Sequence, residues 1–263
     1  MDFDFTDDQN SLRDAVARWV DKGFDFERRH TLAKAGGYAR PVYAELAGLG
    51  LTGIAVPEAH GGLSFGPVEA MVVMEELGRG LVNAPFAAGA LVAPALLAAA
   101  PEGVQAAWLP RIAGADALVV LAHQERKARY RLDAVEATAR HTPSGWAVSG
   151  HKSVVPAADE ADAFIVPAGA DGGIALFLVA KDAPGVRVQG YATQDGGRAG
   201  EVVLADAPAT LVTTAGLDAL ERAQDIGIAA VCAEGVGLMD KLVALTVHPA
   251  VPFVALASTR SSR

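Results

Sequence analysis

Residues 46–81, LAGLGLTGIAVPEAHGGLSFGPVEAMVVMEELGRGL, contain two helical patterns joined by a stretch that cannot be helical. The first pattern covers residues 39–49 and predicts a helix that ends at Gly50. Pro57 and the Gly61–Gly62 pair interrupt regular structure, so they predict an irregular crossing. Apolar side chains then recur at helical spacing and predict a helix over residues 68–81. This stretch therefore indicates two helices held around a glycine-containing connection.

The residues before this stretch predict a further helix. Thr6 followed by Gln9 matches the capping-box pattern at a helix start. The apolar residues that follow at helical spacing are Leu12, Val16, Trp19 and Val20.

The residues after it form an uncharged run, APFAAGALVAPALLAAA, at residues 84–100. This run has 17 residues, mostly alanine, whereas a membrane-spanning helix needs about 20 strongly apolar ones. We therefore expect no membrane partner and predict a buried helix broken near Pro94. A short helical segment follows over residues 104–112.

The pattern changes near residue 115, where short β-prone runs begin to alternate with Gly, Pro and Asp. Their spacing is typical of an antiparallel β-barrel or sandwich, and residues 141–150, HTPSGWAVSG, predict a hairpin. Helical periodicity returns over residues 216–247 in a run that is apolar on nearly every side, so it requires other helices to cover it. The chain is thus predicted to be α+β, with an all-helical domain (1–114), a middle β domain (115–212) and a helix (213–247). This order excludes Rossmann, TIM-barrel and hydrolase folds.

Composition restricts the partners. With 22 basic and 31 acidic side chains, the net charge of −9 argues against binding to nucleic acid. Basic residues cluster within residues 126–131, as a solvated loop or as a contact for an anion or ribose phosphate. The single cysteine, Cys232, rules out an intrachain disulfide and indicates a reducing cytoplasm. Because it lies in an apolar helix, we expect an inert buried thiol. The six histidines have no metal-ligand spacing, and the acidic N-terminus is not a secretory signal.

Five stretches together resemble the acyl-CoA dehydrogenase family. They are residues 3–20 (FDFTDDQNSLRDAVARWV), 46–81, 145–166 (GWAVSGHKSVVPAADEADAFIV), 195–209 (DGGRAGEVVLADAPA) and 229–247 (AAVCAEGVGLMDKLVALTV). The second is the most specific. Residues 24–29 (FDFERR), 124–132 (QERKARYRL) and 150–155 (GHKSVV) are similar to the branch labelled pimeloyl-CoA dehydrogenase small subunit.

The resemblance implies FAD as cofactor and α,β-dehydrogenation of an acyl-CoA thioester by a tetramer. In that reaction a carboxylate removes the α-proton from a polarised thioester, and a hydride leaves for the flavin. The implied partners are the acyl-CoA substrate, further subunits in a homo- or hetero-oligomer, and an acceptor like electron-transfer flavoprotein.

The family's flavin motifs are only partly retained. In the family's L-T-E-P motif, Glu125 matches the acid, while Gln124 replaces threonine and Arg126 replaces proline. The family's G-S-D becomes residues 129–131, RYR, and its G-x-K-x-W-I-T keeps Gly150 and Lys152. The residues that the resemblance assigns to the flavin are Ala122, His123, Gln124, Val154, Val155 and Pro156. Those it assigns to the substrate are Arg129 and Tyr130. The resemblance also places the apolar run at residues 84–100 in the region that flanks the acyl chain, so that core packing and the lining of a pocket are both open as its role.

The C-terminal part departs from the family. Family members continue the last helix into Tyr-x-x-x-Arg-x-Gln-Phe-Gly and further helices that in most members carry the catalytic glutamate. Residues 248–263 do not match that continuation, so the resemblance implies a truncated C-terminal helical bundle and a non-family tail. No catalytic residue is assigned.

Three functions stay open. In the first, the chain is an FAD-dependent dehydrogenase of a divergent branch, in which backbone amides and a reshaped pocket hold the flavin; it is either cut short or dependent on a partner chain for its base and half of its FAD site. Alternatively, it is a non-catalytic subunit of a heteromeric dehydrogenase. The third alternative is a flavin-free remnant or binding protein.

Overall fold

The computed structural model describes residues 4–37, 40–143 and 145–247. Its α-helices are α1 (Asp7–Gly23), α2 (Phe26–Lys34), α3 (Arg40–Gly48), α4 (Pro67–Arg79), α5 (Ala93–Leu97), α6 (Glu102–Ala113) and α7 (Gly216–Val247). Its strands are β1 (Val119–Leu121), β2 (Thr138–Thr142), β3 (Gly145–Pro156), β4 (Ala163–Ala170), β5 (Gly173–Ala180), β6 (Val186–Ala192) and β7 (Arg198–Thr213). The order of a helical block, a β block and a final helix is the predicted one, and the proposed tail at residues 248–263 lies outside the described residues.

Helix α1 begins at the predicted capping box. The Thr6 hydroxyl accepts a hydrogen bond from the Gln9 amide at 3.2 Å, and the Gln9 side chain accepts one from the Thr6 amide at 3.0 Å. These two bonds satisfy amides that no helical carbonyl can reach. Helix α2 is an addition to the prediction, because none of its residues is buried and it has no apolar stripe to recognise. The helix predicted over residues 39–49 is α3, and residue 39 lies outside the described residues.

The crossing between α3 and α4 is irregular, as predicted, and contains two short 3₁₀ turns, Leu51–Gly53 and Glu58–His60. A Cβ atom at Gly62 would lie 2.0 Å from the carbonyl oxygen of Val56, so only glycine fits there. The Thr52 hydroxyl donates a 2.6 Å hydrogen bond to the Ala113 carbonyl and ties the crossing to the end of α6. The connection is therefore fixed by the close backbone contact at Gly62 and the Thr52 hydrogen bond, together with the buried side chains of Leu51, Ile54 and Val56.

The apolar run at residues 84–100 is not broken at Pro94, which corrects the prediction. A π-helical segment, Ala87–Val92, leads directly into α5, and Pro94 lies in the first turn of α5. Proline lacks an N–H and its ring clashes with the carbonyl four residues earlier. A π-turn widens the hydrogen-bonding pattern just before that position, so the helical path continues to Leu97.

The middle strands form the predicted barrel. Strands β4, β2, β3, β7 and β5 follow one another by hydrogen bonding, and β5 pairs again with β4 to close the ring. Most pairs are antiparallel, including the predicted hairpin of β2 and β3, in which Thr142 faces Gly145. Two pairings are parallel, β1 with β4 and β2 with β4. They arise because long connections, rather than hairpin turns, separate these strands in the chain.

Helix α7 packs against α4 with the two backbones in direct contact. A Cβ atom at Gly78 would lie 2.1 Å from the Glu234 carbonyl oxygen, and one at Gly237 would lie 1.8 Å from the Glu75 carbonyl oxygen. Neither distance leaves room for a methyl group. The two glycines therefore set the separation of the helices, and with it the position of α7 over the barrel.

From Ile228 to its end, α7 exposes apolar side chains, as the sequence predicts. We define its distal face as the exposed large apolar residues Ile228, Val231, Val236, Met239, Leu242, Val243, Leu245 and Val247. They are between 41% and 65% exposed. A contiguous apolar surface of this kind marks an interaction site in soluble proteins.

The close contact of α4 with α7 gives a test of the fold. We expect Gly237→Ala to lower the free energy of unfolding by about 2 kcal/mol, because the methyl group forces two backbones apart. Gly235→Ala is the matched control, since nothing lies within 4 Å of its Cβ position. It should raise stability by about 1 kcal/mol through helix propensity alone. Urea unfolding followed by circular dichroism measures both, and equal stabilities would contradict the contact.

Candidate functional site

One cavity of about 640 Å³ opens where the barrel, the π-helical segment and α7 meet. Strand β3 and the segment that follows β1 supply one side, and α7 supplies the other. Its lining residues are Ala87, Ala88, Val92, Leu121, His123, Gln124, Arg129, Tyr130, Leu132, Ser153, Val154, Val155, Pro156, Leu220, Ala223, Gln224, Gly227, Ile228, Val231 and Cys232. Most of this lining is apolar, with a few polar groups, as in small-molecule sites.

Seven of the eight residues assigned by resemblance line this cavity. They come from two segments that are far apart in sequence: His123, Gln124, Arg129 and Tyr130 from the first, and Val154, Val155 and Pro156 from the second. The eighth, Ala122, does not reach the cavity. It is fully buried, and its amide donates a 2.9 Å hydrogen bond to the Ile165 carbonyl of β4.

Helix α7 contributes lining residues that the sequence did not reveal, among them Gln224, Gly227 and Cys232. A uniformly apolar helix offers no periodic signal that distinguishes a cavity-facing side from a core-facing one. Cys232 was predicted to be buried, and this is wrong: its thiol is exposed and borders the cavity. The thiol is exposed because the described chain places no further helix against this side of α7.

The two roles left open for residues 84–100 both occur. Ala87, Ala88 and Val92 border the cavity, whereas Leu96 and Leu97 are buried in a hydrophobic cluster. The π-helical segment therefore supplies the cavity wall, and α5 supplies the packing behind it.

A buried ion pair lies directly behind the cavity. Lys152 Nζ is 2.6 Å from Glu125 Oε1, and the two side chains are 0% and 3% exposed. Glu125 also accepts hydrogen bonds from the amides of Glu136 (2.6 Å) and Ala137 (3.1 Å), and Lys152 donates to the Pro167 carbonyl at 2.8 Å. Buried charges require such complete pairing, since an unpaired one is strongly destabilising.

The pair changes the pKa of its members and of a neighbour. Burial alone would raise the pKa of Glu125, but the hydrogen bonds from Lys152 and the two amides lower it below its usual value. Burial lowers the pKa of Lys152, and the Glu125 carboxylate opposes that effect. The pKa of His123 is lowered, first by burial and then by the charge of Lys152. The imidazole at the cavity wall is therefore neutral at pH 7.

Strand β3 has a β-bulge at the cavity wall. Lys152 pairs with Val202 and Val155 with Gly200, so Ser153 and Val154 together oppose the single residue Glu201 of β7. Val154 has φ = 52°, a left-handed conformation that is a genuine outlier for a β-branched residue. Strain of this kind concentrates at binding sites, where surrounding structure holds it in place.

The basic cluster is a loop at the cavity mouth. Two residues of the cluster form exposed ion pairs within the loop region. Lys127 pairs with Glu136 at 3.0 Å, and Arg131 pairs with Asp133 at 2.8 Å. Arg126 and Arg129 have no carboxylate partner among the residues that the structure describes, and Arg129 lines the cavity. Two interpretations of the basic cluster were open, a solvated loop and a contact for an anion. Arg129 is free to make the second kind of contact.

Within the described ranges, no group of three or more His, Cys, Asp or Glu side chains is arranged to hold a metal ion. Over the same ranges, no helix combines the length and hydropathy needed to cross a membrane.

The described chain is thus a helical domain and a closed β-barrel domain, followed by one long helix. An apolar cavity lies where the three meet. The profile of the acyl-CoA dehydrogenase N-terminal domain matches residues 6–116, and that of the acyl-CoA dehydrogenase middle domain matches residues 121–207. The chain belongs to the acyl-CoA dehydrogenase family.

Individual relatives agree with this assignment. Benzylmalonyl-CoA dehydrogenase from Aromatoleum aromaticum is 30% identical over 197 residues, which cover 72% of this chain and 51% of the relative. The chain thus spans about half the length of that protein. The ChsE4–ChsE5 complex from Mycobacterium tuberculosis superposes with a TM-score of 0.84 at 27% identity, covering 94% of this chain and 67% of the other. A glutaryl-CoA dehydrogenase from Mycobacterium smegmatis in complex with FADH2 has the same fold, with a TM-score of 0.85 at 20% identity over 92% of this chain and 65% of the other.

The left-handed residue in β3 gives a test of the cavity wall. We expect Val154→Gly to raise the free energy of unfolding by about 1 kcal/mol, because glycine adopts this conformation without strain. Val155→Gly is the control: it removes a side chain that is 1% exposed and should cost about 2–4 kcal/mol. Thermal or urea unfolding measures both variants. A Val154→Gly protein that is less stable than the parent would show that the strain is absent.

Proposed function

We propose that this chain is an acyl-CoA dehydrogenase-type subunit whose cavity holds the isoalloxazine of FAD and the thioester end of an acyl-CoA. The observation that carries the proposal is that two distant segments of the chain come together at one cavity. Two short segments, 123–130 and 153–156, are separated by more than twenty residues in sequence yet line one apolar cavity. They are the segments that the family resemblance assigns to flavin and substrate.

The residues present fit a flavin ring by their chemistry. The cavity is mostly apolar and of a size usual for cofactor sites. Gly227 leaves the α7 side open, since nothing lies within 4 Å of its Cβ position. The Gln124 amide supplies both a donor and an acceptor, which suits a planar ring whose edge carries carbonyl oxygens and an N–H. Side-chain replacements relative to the family therefore leave a site of suitable shape and polarity.

Each part of the lining has a distinct task in this proposal. Bound FAD would supply the hydride acceptor for dehydrogenation. Leu121, Val155 and Pro156 would exclude water from the reacting carbons. Arg129 at the mouth would pair with a phosphate of the CoA, to which a guanidinium binds in a bidentate way, and Tyr130 would contact the remainder of the CoA.

The proton-abstracting base is the part that the described cavity lacks. None of the described lining residues is a carboxylate, so turnover requires a base from outside the described residues. This favours the form of the first candidate in which the chain completes its site with a partner chain. The ChsE4–ChsE5 structure, a complex of two different chains, supports such an arrangement, as does the uncovered distal face of α7. An acceptor like electron-transfer flavoprotein and a cytoplasmic location are part of the proposal.

Flavin binding by the purified protein tests the proposal directly. The parent protein should retain or take up FAD, detected by its visible absorbance after gel filtration. We expect Gly227→Leu to abolish this binding, because the side chain enters the cavity from α7. Gly235→Leu is the matched control on the same helix, outside the cavity and with open space at its Cβ position. Both variants should fold, since leucine is a better helix former than glycine.

The outcomes separate the candidate functions. Bound FAD that is bleached by an acyl-CoA supports the enzyme. Bound FAD without bleaching until a second chain is added supports the subunit. A stable protein that takes up no FAD, or equal FAD binding by both leucine variants, contradicts the proposed site.

The distal face of α7 predicts association. We expect light scattering to give a mass that is a multiple of 27.0 kDa, because the exposed apolar residues gain from burial. Met239→Gln/Leu242→Gln changes two residues of the face, three positions apart on the helix, and should shift the protein toward monomer. Asp240→Asn/Lys241→Gln, between them in sequence, should not. A parent protein that is monomeric at micromolar concentration would rule out self-association through this face.

A further inference from the structure

Neither member of the buried Lys152–Glu125 pair lines the cavity, yet each is joined in sequence to residues that do. Glu125 directly follows His123 and Gln124, and Lys152 directly precedes Ser153 and Val154. A backbone hydrogen bond of 2.8 Å from the Ser153 amide to the Gln124 carbonyl connects the same two segments. The ion pair and this bond therefore lie side by side behind the junction of the two walls.

The pair also anchors both walls to the barrel. Through Glu125, the first wall is held to the amides of Glu136 and Ala137, at the start of β2. Through Lys152, the second wall is held to the Pro167 carbonyl of β4. Two side chains thus connect four separate parts of the chain. If either charge were removed, both walls would lose their shared anchor.

We infer that the Lys152–Glu125 pair is the positioning element of this cavity, which sets the His123–Gln124 wall against the Ser153–Val154 wall. The pair touches no ligand in this arrangement and acts through its neighbours. The effect on a bound flavin rests on the proposed function, whereas the effect on the two walls does not.

The charge of Lys152 also acts on His123. The positive charge of Lys152 contributes to the lowered pKa of the imidazole, after burial. The other titratable side chains that line the cavity are Arg129, Tyr130 and Cys232. Loss of the Lys152 charge should therefore raise the pKa of His123 while the burial effect stays. If the pair only stabilised the barrel, its loss would change the wall geometry only to the extent that it lowered the stability of the whole protein.

The test uses the full chain and three readouts. Lys152→Met should raise the pKa of His123 in an NMR titration, with His123→Gln to assign the signal. It should speed exchange of the Ser153 amide at least tenfold relative to the barrel amides. It should also weaken the Kd for FAD at least tenfold. Arg40→Met is the control: it breaks a partly buried ion pair with Asp162, away from the cavity, and should change stability without changing the three readouts.

A second variant separates positioning from stability. Glu125→Gln/Lys152→Met removes both charges and should recover stability relative to Lys152→Met, because no unpaired buried charge remains. Fast Ser153 exchange and weak FAD binding that persist in this variant support the inference. Recovery of both together with stability would overturn it, and so would rapid Ser153 exchange in the parent protein. If the parent binds no FAD, the proposed function fails, and the His123 and Ser153 readouts still decide the inference.

Discussion

The burial of one carboxylate, that of Glu125, is the constraint on which the barrel side of this molecule depends. A charge 3% exposed is tolerated only when its hydrogen bonds are complete, and completing them brings Lys152 of β3 and the two amides just before β2 to one point. Lys152 in turn donates to the Pro167 carbonyl of β4. The same contacts bring together the two segments that line the cavity. The packing of these strands around Glu125 and the shape of the cavity wall therefore depend on one set of contacts.

On the helical side, the packing of α4 against α7 depends on direct backbone contact rather than on a buried ion pair. Gly78 and Gly237 let α4 and α7 touch, and this contact fixes the height of α7 above the barrel. The part of α7 from Leu220 to Cys232 thereby becomes the second side of the cavity, while the residues of its distal face beyond Cys232 stay uncovered. One helix thus links the site to the surface through which a partner would bind. An association that shifts α7 would act on the cavity directly.

The departures from the family pattern fall on side chains rather than on the backbone path. Gln124, Val154 and Pro156 differ from the family motifs at the positions proposed to contact flavin, yet they line a cavity of cofactor size. Val154 adopts a left-handed conformation in a bulge, which its β-branched side chain disfavours. The chain adopts this conformation despite its cost, which indicates that the wall is shaped by the pairing of β3 with β7, to which Lys152 and Val155 belong. A backbone shaped in this way is consistent with ligand contacts made by main-chain groups.

Local sequence alone determined the features that arise within a few residues: the capping box at Thr6, the hairpin of β2 and β3, and the extent of α7. It could not determine helix α2, which buries nothing, or the helical path through Pro94, which needs a π-turn set by its surroundings. Resemblance to a family indicated seven lining residues, but only the folded chain brought them to one cavity and added Cys232 and Gly227 from α7. The burial of Glu125 against Lys152 likewise depends on the tertiary structure. The physical reason is that capping and turns are local energies, whereas burial, parallel pairing and cavity formation depend on which distant segments meet.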